Sequence, residues 1–277
     1  MAVYLPTAVV GNGRILVTLG PAAEVMGFFY PHIDFAQNVR EGMPAIYVGP
    51  PGRGRLSWLF EAEWEREQSY VREAGIVVTR LRSERAGLCV RVTDFVLPEG
   101  ALLVRRFDVA NEGSQPLRAT LFQYFWLTLG GLEHQQSLRH LPARDVMLQY
   151  FRDVTFVIGG GGGFDCFRCG RPIEEARSAK GDMGDGDLNG QPEDIGRVDL
   201  AVGWKMALAV DESESRTLLV SAGPSELEAL RQYDDAAGQA YARLVDRVTE
   251  DSIGRDVCDA VLAGKRLVSA ERDVEAE

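Results

Sequence analysis

"LLVRRFDVAN", residues 102–111, repeats with a period of two. Leu103, Arg105, Phe107 and Val109 fall on one side of the segment, and Val104, Arg106 and Asp108 on the other. That is the period of a strand with one face covered. The turn residues Asn111-Glu112-Gly113 follow, and then the apolar, aromatic run "RATLFQYFWLTL" (118–129). Runs of this kind recur on both sides: "GRILVTL" (13–19), "PAIYVG" (44–49), "GIVVTRLRSE" (75–84), "GLCVRVTDFVL" (87–97), "DVMLQYF" (145–151), "VTFVIGG" (154–160), "GWKMALAV" (203–210) and "RTLLVSAG" (216–223). Gly-Asn-Gly at 11–13 and Pro98-Glu99-Gly100 are further turn formers. Many short strands with no helical segments between them predict an all-β domain of antiparallel sheets packed face to face, over residues 1–222.

The pattern changes at Pro224. Ser225 followed three residues later by Glu228 is a capping box, in which each side chain satisfies a backbone N–H that the helix start leaves open. Leu227, Leu230, Ala237, Tyr241, Leu244 and Val248 then recur at helical spacing, and "GRDVCDAVLAGKRLV" (254–268) reads as a second helix. Residues 223–277 are therefore expected to be helical, with a frayed polar end.

A chain of 277 residues, 45% hydrophobic, can bury a substantial core. Its formal net charge of −11 repels phosphate backbones and argues against a nucleic-acid partner. No apolar run is long enough to span a bilayer, and "MAVYLPTAVVGNGRIL" lacks the pattern of a signal peptide, so a cytoplasmic protein off the membrane is expected. Four cysteines in so long a chain do not make a disulfide framework. Cys89 and Cys258 read as small core residues.

The stretch "VIGGGGGFDCFRCGRP" (157–172) carries five consecutive glycines and the pair Cys166 and Cys169. A structural zinc site takes four ligands; besides this pair the chain offers His134 and His140, spaced more widely than usual. A redox pair belongs at a helix start beside a parallel βαβ unit, which is missing here. A phosphate loop would lead into a helix, whereas Phe164-Asp165 follow. The favoured reading is a flexible surface loop with two accessible thiols, zinc being the alternative. "DGDLNG" (185–190) places Asp185, Asp187 and Asn189 at the first positions of a calcium loop with Gly190 at the sixth. Gly196 occupies the twelfth position, where a bidentate glutamate belongs, so plain turn formation is preferred and calcium is the one cofactor worth testing. "EAEWERE" (61–67) reads as an extended, solvated row of glutamates with Trp64 turned inward. Exposed aromatic rings stack on sugar rings. Trp58 and Trp64, together with Tyr30 and His32 in "FFYPHID" (28–34), are the carbohydrate or interface candidates, packing being the competing role.

The ordered wording of "GNGRILVTLGPAAEVMGFFYPHID" (11–34), "LSWLFEAEWEREQSYVREAGIVVTRLR" (56–82), "VTDFVLPEGALLVRRFDVANEGSQPLRATLFQYFWLTLGG" (92–131) and "GDGDLNGQPEDIGRVDLAVGW" (184–204) resembles the N-terminal domain of bacterial and archaeal glycoside hydrolase family 15 enzymes, the glucoamylases and glucodextranases. The likeness runs over roughly residues 8–265. It implies an antiparallel β-supersandwich, galactose-mutarotase-like in fold, with C-terminal linker helices that lead toward an (α/α)6 barrel. In the family the barrel holds both catalytic glutamates. Here residues 254–268 would match only its first helix. The resemblance thus assigns no catalytic residue, since glycoside hydrolysis needs two carboxyl groups held across the scissile bond. It implies a non-catalytic domain that supports or pairs with an α-glucosidase barrel, or binds α-glucan. The helical surface that a barrel would cover is then open to self-association. Two further readings stand beside this one. The chain is a fragment of such a hydrolase, or it is an independent mutarotase-like enzyme using His32 or His134 with a glutamate.

Overall fold

The computed structural model describes residues 5–250 apart from 33, 35, 36, 72 and 73. In chain order its strands are β1 (Ala8–Gly11), β2 (Leu16–Leu19), β3 (Val25–Phe29), β4 (Val39–Val48), β5 (Arg55–Trp58), β6 (Glu65–Tyr70), β7 (Ile76–Ser83), β8 (Leu88–Val96), β9 (Leu102–Asn111), β10 (Leu117–Leu127), β11 (Gln136–Leu141), β12 (Val146–Phe151), β13 (Val154–Gly160), β14 (Cys166–Gly170), β15 (Glu193–Gly196), β16 (Asp199–Leu208) and β17 (Ser213–Gly223). The helices are α1 (Ala179–Asp182), α2 (Glu226–Ala237) and α3 (Tyr241–Thr249). Every strand pairing is antiparallel. The strands form a nine-stranded sheet, β15-β11-β12-β13-β17-β9-β8-β7-β6, a five-stranded sheet, β14-β16-β10-β4-β5, and a three-stranded sheet, β1-β2-β3. These are the antiparallel sheets expected from the alternating pattern, in the β-supersandwich that the family resemblance implies. No helix among the described residues is long and apolar enough to cross a membrane.

The alternation sorts side chains between two layers. From β9, Leu103, Phe107 and Val109 enter the main core between the sheets, where Leu121 and Phe125 of β10 and Leu200, Val202 and Trp204 of β16 meet them. Leu102 and Val104 point the other way, into a second cluster with Ala229, Tyr233 and Ala236 of α2 and Leu244 and Val248 of α3. Arg105 shares the inner side of β9 and is fully buried. Its Nε donates to Asp94 Oδ1 (2.6 Å), directly across the ladder on β8, and its Nη1 to Gln123 Oε1 (3.0 Å) on β10 of the opposing sheet. Nη2 donates to Asp94 Oδ2 (3.2 Å) and to the carbonyl of Ala23 in the β2–β3 turn. One guanidinium thus ties all three sheets together. Its fork geometry supplies the donors that three acceptors need in a dry interior.

The N-cap half of the capping box forms: Ser225 Oγ accepts from the Glu228 N–H (3.3 Å), while the Glu228 carboxylate pairs with Arg231. The expected single helix over 225–248 is instead broken at Gly238–Ala240 into α2 and α3. The opening glycines of the 159–163 run are part of this docking. A Cβ on Gly159 would meet the Tyr233 ring at 2.3 Å, and the Tyr233 hydroxyl donates to the Gly160 carbonyl (3.1 Å). Glycine is required there because an aromatic ring lies flat on the strand. The second expected helix, at 254–268, lies outside the described residues.

Two expectations are corrected. The 157–172 stretch is two strands, β13 and β14, joined by a short turn, rather than a long loop. The "EAEWERE" segment is extended only from Glu65; Glu61 and Glu63 lie in a turn, where both pair with Arg55. Trp64 turns inward as expected.

Removing one partner of a buried ion pair strands the other charge, at a cost of about 3–5 kcal/mol, whereas replacing both by apolar groups is close to neutral. Urea unfolding of Arg105→Met is therefore expected to show a loss of about 3–5 kcal/mol. The double variant Arg105→Met/Asp94→Leu should recover most of it. Equal losses in single and double variants would show that the pair does not act as a unit.

Candidate functional site

The outer face of the five-stranded sheet carries the densest group of aromatic side chains away from the main core. Tyr47, Phe122, Tyr124 and Trp126 alternate outward from β4 and β10, and Trp58 packs against them from β5. A β-bulge sharpens this face. Trp126 pairs with Glu41 but Leu127 pairs with Val39, so Arg40 is an extra residue on β4. Bulges re-aim side chains. Here Val39 returns to the core while the Arg40 guanidinium lies 4.5 Å from the Trp126 ring centroid and pairs with Glu133.

Part of the face is covered by the segment around α1. Asp199, buried on β16, accepts from Ser178 Oγ (2.8 Å), the Ala179 N–H (3.1 Å) and the Tyr124 hydroxyl (3.2 Å). Burial holds its carboxyl above the usual carboxylate range against these hydrogen bonds. Burial, and then the Asp199 charge, push the Tyr124 phenol far up, so it stays a donor. The anchored α1 delivers Lys180, whose Nζ lies 5.2 Å from the Trp58 centroid and 5.4 Å from that of Tyr124 and bonds Glu41 (2.9 Å). Beyond Lys180 the cover ends. Trp58 is half-buried and stacks on exposed Phe60, with centroids 5.8 Å apart and planes at 22°. Phe60 also borders a cavity of about 360 Å³ shared with Met43, Arg40, Glu41 and Glu24. This is an aromatic ledge edged by charges of both signs, the combination that holds a sugar ring or a partly polar partner surface.

The other candidates fall elsewhere. Trp64 is buried and its indole N–H donates to Ser57 Oγ (2.9 Å), which removes it as a stacking surface. Tyr30 and His32 line a separate groove of about 810 Å³ beside the start of α2, with Arg14, Glu99 and Glu228. Burial, then the charges of Glu228 and Asp153, raise the Tyr30 phenol. Phe60, Tyr124, Arg40 and Lys180 were not singled out from sequence. The "RLSWLF" run (55–60) places Phe60 two residues after Trp58, which was the available signal.

Cys166 and Cys169 stand on β14, an odd number of residues apart, so they face opposite ways. Cys166 joins the outer aromatic cluster and Cys169 the main core, and both are buried. This overturns the accessible-thiol reading. Burial, then Asp187, pushes the Cys166 thiol up to about 12. Cys169 is raised by burial and then by Asp194. In the acidic turn, Asp185 Oδ1 accepts the Asp187 N–H, Asp187 Oδ2 pairs with Lys205 Nζ (2.9 Å) and Asn189 Oδ1 accepts the Gln191 N–H. No group of three or more His, Cys, Asp or Glu among the described residues is placed to hold a metal ion. The zinc and calcium readings therefore find no ligand set there. His134 faces Arg197 (3.1 Å), and His140 bonds Asp145 (2.8 Å) and stacks on Phe167.

No family model matches the chain. A curated protein of Methanocaldococcus jannaschii, described as an uncharacterized glycosyl hydrolase, is 26% identical over 208 residues, 75% of this chain. The chain spans about a third (32%) of that relative's length. Among solved structures, a bacterial glucoamylase complexed with acarbose superposes with a TM-score of 0.75 at 12% identity, covering 93% of this chain and 38% of the other. A GalM/aldose epimerase homologue from C. elegans superposes with a TM-score of 0.54 at 10% identity, covering 79% of this chain and 99% of the other. The fold is thus shared with part of a glucoamylase and with nearly the whole of a mutarotase-type protein.

Thiolates, not thiols, attack disulfide reagents. Native labelling with Ellman's reagent at pH 8 is expected to be the same for Cys166→Ser, Cys169→Ser and the parent, with the extra thiols appearing only in guanidinium. A fast-labelling thiol lost in Cys166→Ser would contradict the burial described.

Proposed function

We propose that this chain is a non-catalytic sandwich of α-glucan metabolism, which supports or pairs with an α-glucosidase catalytic domain and contacts α-glucan or that domain through the Trp58–Phe60 ledge. The observation that carries this reading is the coverage. Three quarters of the chain aligns with a third of a glycosyl hydrolase, and nearly all of it superposes on 38% of a glucoamylase. The prominent carboxylates here are also committed to structural partners. Asp94 pairs with Arg105, Asp199 holds the start of α1, and Glu41 bonds Lys180. None of these stands free as the acid or base that glycoside cleavage requires. A second reading, an independent enzyme of the mutarotase type, is supported by the 99% coverage of the C. elegans epimerase homologue.

Two measurements separate these. Incubation with maltotetraose and isomaltose should release no glucose, and fresh α-D-glucose should mutarotate at its uncatalysed rate. Protein-proportional glucose release, or accelerated mutarotation, would overturn the non-catalytic reading. In native gels containing soluble starch the chain should be retarded, and Trp58→Ala/Phe60→Ala should be retarded less. Unchanged migration of the parent would remove glucan as the ledge's ligand and leave the catalytic-domain interface.

A further inference from the structure

The later glycines of the 159–163 run open onto a groove of about 550 Å³ between the β13–β14 turn, the outer face of β17 and the α2–α3 junction. That volume lies within the range of about 300–1,000 Å³ of small-molecule sites. Resting on the carbohydrate reading above, we propose that this groove binds a neutral saccharide of one or two rings, as a site separate from the Trp58–Phe60 ledge.

Two half-buried rings, Phe164 and Tyr241, border the groove; the Arg106 guanidinium lies 4.4 Å from the Tyr241 ring centroid, so Phe164 offers the apolar surface on which a pyranose stacks. Between them lie groups of both hydrogen-bonding senses: the Thr217 hydroxyl, the Asp165 carboxylate, whose Oδ2 accepts the Lys205 N–H, and the Arg106 guanidinium and Ser215 hydroxyl, which bond each other (2.7 Å) and Asp108. Such a mixture matches vicinal hydroxyls, each of which donates and accepts. It does not match an anion. Arg106 is balanced by Asp108 (2.8 Å), and Arg216 at the rim by Glu214 (2.6 Å). The N–H groups of Gly161, Gly162 and Gly163 are spent on Thr217 O, Gly160 O and Gly160 O, so the glycine run presents no cradle for phosphate. What the run supplies is room. A Cβ on Gly161 would touch only Thr217, at 3.6 Å, and one on Gly162 nothing within 4 Å. A larger side chain at Gly161 would extend over Thr217, a groove residue.

The site carries its own reporter. The Trp204 indole N–H donates to the Gly163 carbonyl (2.8 Å), and its ring meets Phe164 edge-on at 5.6 Å. A saccharide seated against Phe164 should therefore change Trp204 emission. The full chain would be titrated with maltose, isomaltose and glucose while tryptophan fluorescence is followed. A saturable change is expected with at least one of them. Gly161→Leu keeps an allowed backbone and fills the groove, so it should weaken that response at least tenfold with an unchanged Tm. Asp165→Asn should weaken it as well, and Trp58→Ala should leave it intact. No saturable response to any of the three sugars overturns the groove site, as does a response that survives Gly161→Leu. If Trp58→Ala abolishes the response and Gly161→Leu does not, the ledge is the sugar site and the groove is not. Starch gels of Gly161→Leu with and without Trp58→Ala/Phe60→Ala test the ledge with the groove filled.

Discussion

The sandwich depends on one buried cation. Arg105 has no exposed surface, and its guanidinium touches the nine-stranded sheet through Asp94, the five-stranded sheet through Gln123 and the three-stranded sheet through Ala23. A charge in a dry interior is costly unless it is paired and hydrogen-bonded, and Arg105 makes four hydrogen bonds, two of them to the Asp94 carboxylate. That requirement sets the spacing of the sheets more sharply than apolar packing does. Leu103 and Phe107, its neighbours on the same side of β9, are fully buried beside it, but their apolar contacts lack the directionality of the hydrogen-bonded fork.

With the inner layer pinned, the two outer faces are finished differently. The nine-stranded sheet is covered by α2 and α3, which sit close because Gly159 leaves the Tyr233 ring a flat place on β13. The five-stranded sheet is covered by the segment around α1, held by Asp199. Each cover stops short. Where α1 ends, Trp58 and Phe60 are left at the surface; where α2 turns into α3, the groove beside Gly161 stays open. Both surfaces are margins of a cover, where sheet side chains meet solvent beside a fixed polar rim. Small-molecule sites commonly combine apolar faces with a few directed hydrogen-bonding groups.

A sandwich of this fold makes up nearly the whole of the C. elegans epimerase homologue and only part of the bacterial glucoamylase. Shared architecture at 10–12% identity speaks to the fold, while function rests on particular side chains.

Much of this was legible in the sequence. The period of two in 102–111 put Leu103, Arg105 and Phe107 on one face, and the structure has them there, at the sheet interface. The Ser225–Glu228 capping box marked the start of α2. These are local properties, determined by alternation and by backbone groups a few residues apart. What the sequence by itself did not determine is partnership across long separations. Nothing near Arg105 announces Gln123 or Ala23, and nothing near Cys166 and Cys169 shows that "CFRCG" is a strand paired with β16, with the thiols on opposite faces. Nor does spacing tell a stacking tryptophan from a buried one: Trp58 and Trp64 differ because β5 and its turn send one outward and the other under Ser57. Register and cover are set by contacts between segments tens of residues apart, and only the folded chain brings those segments together.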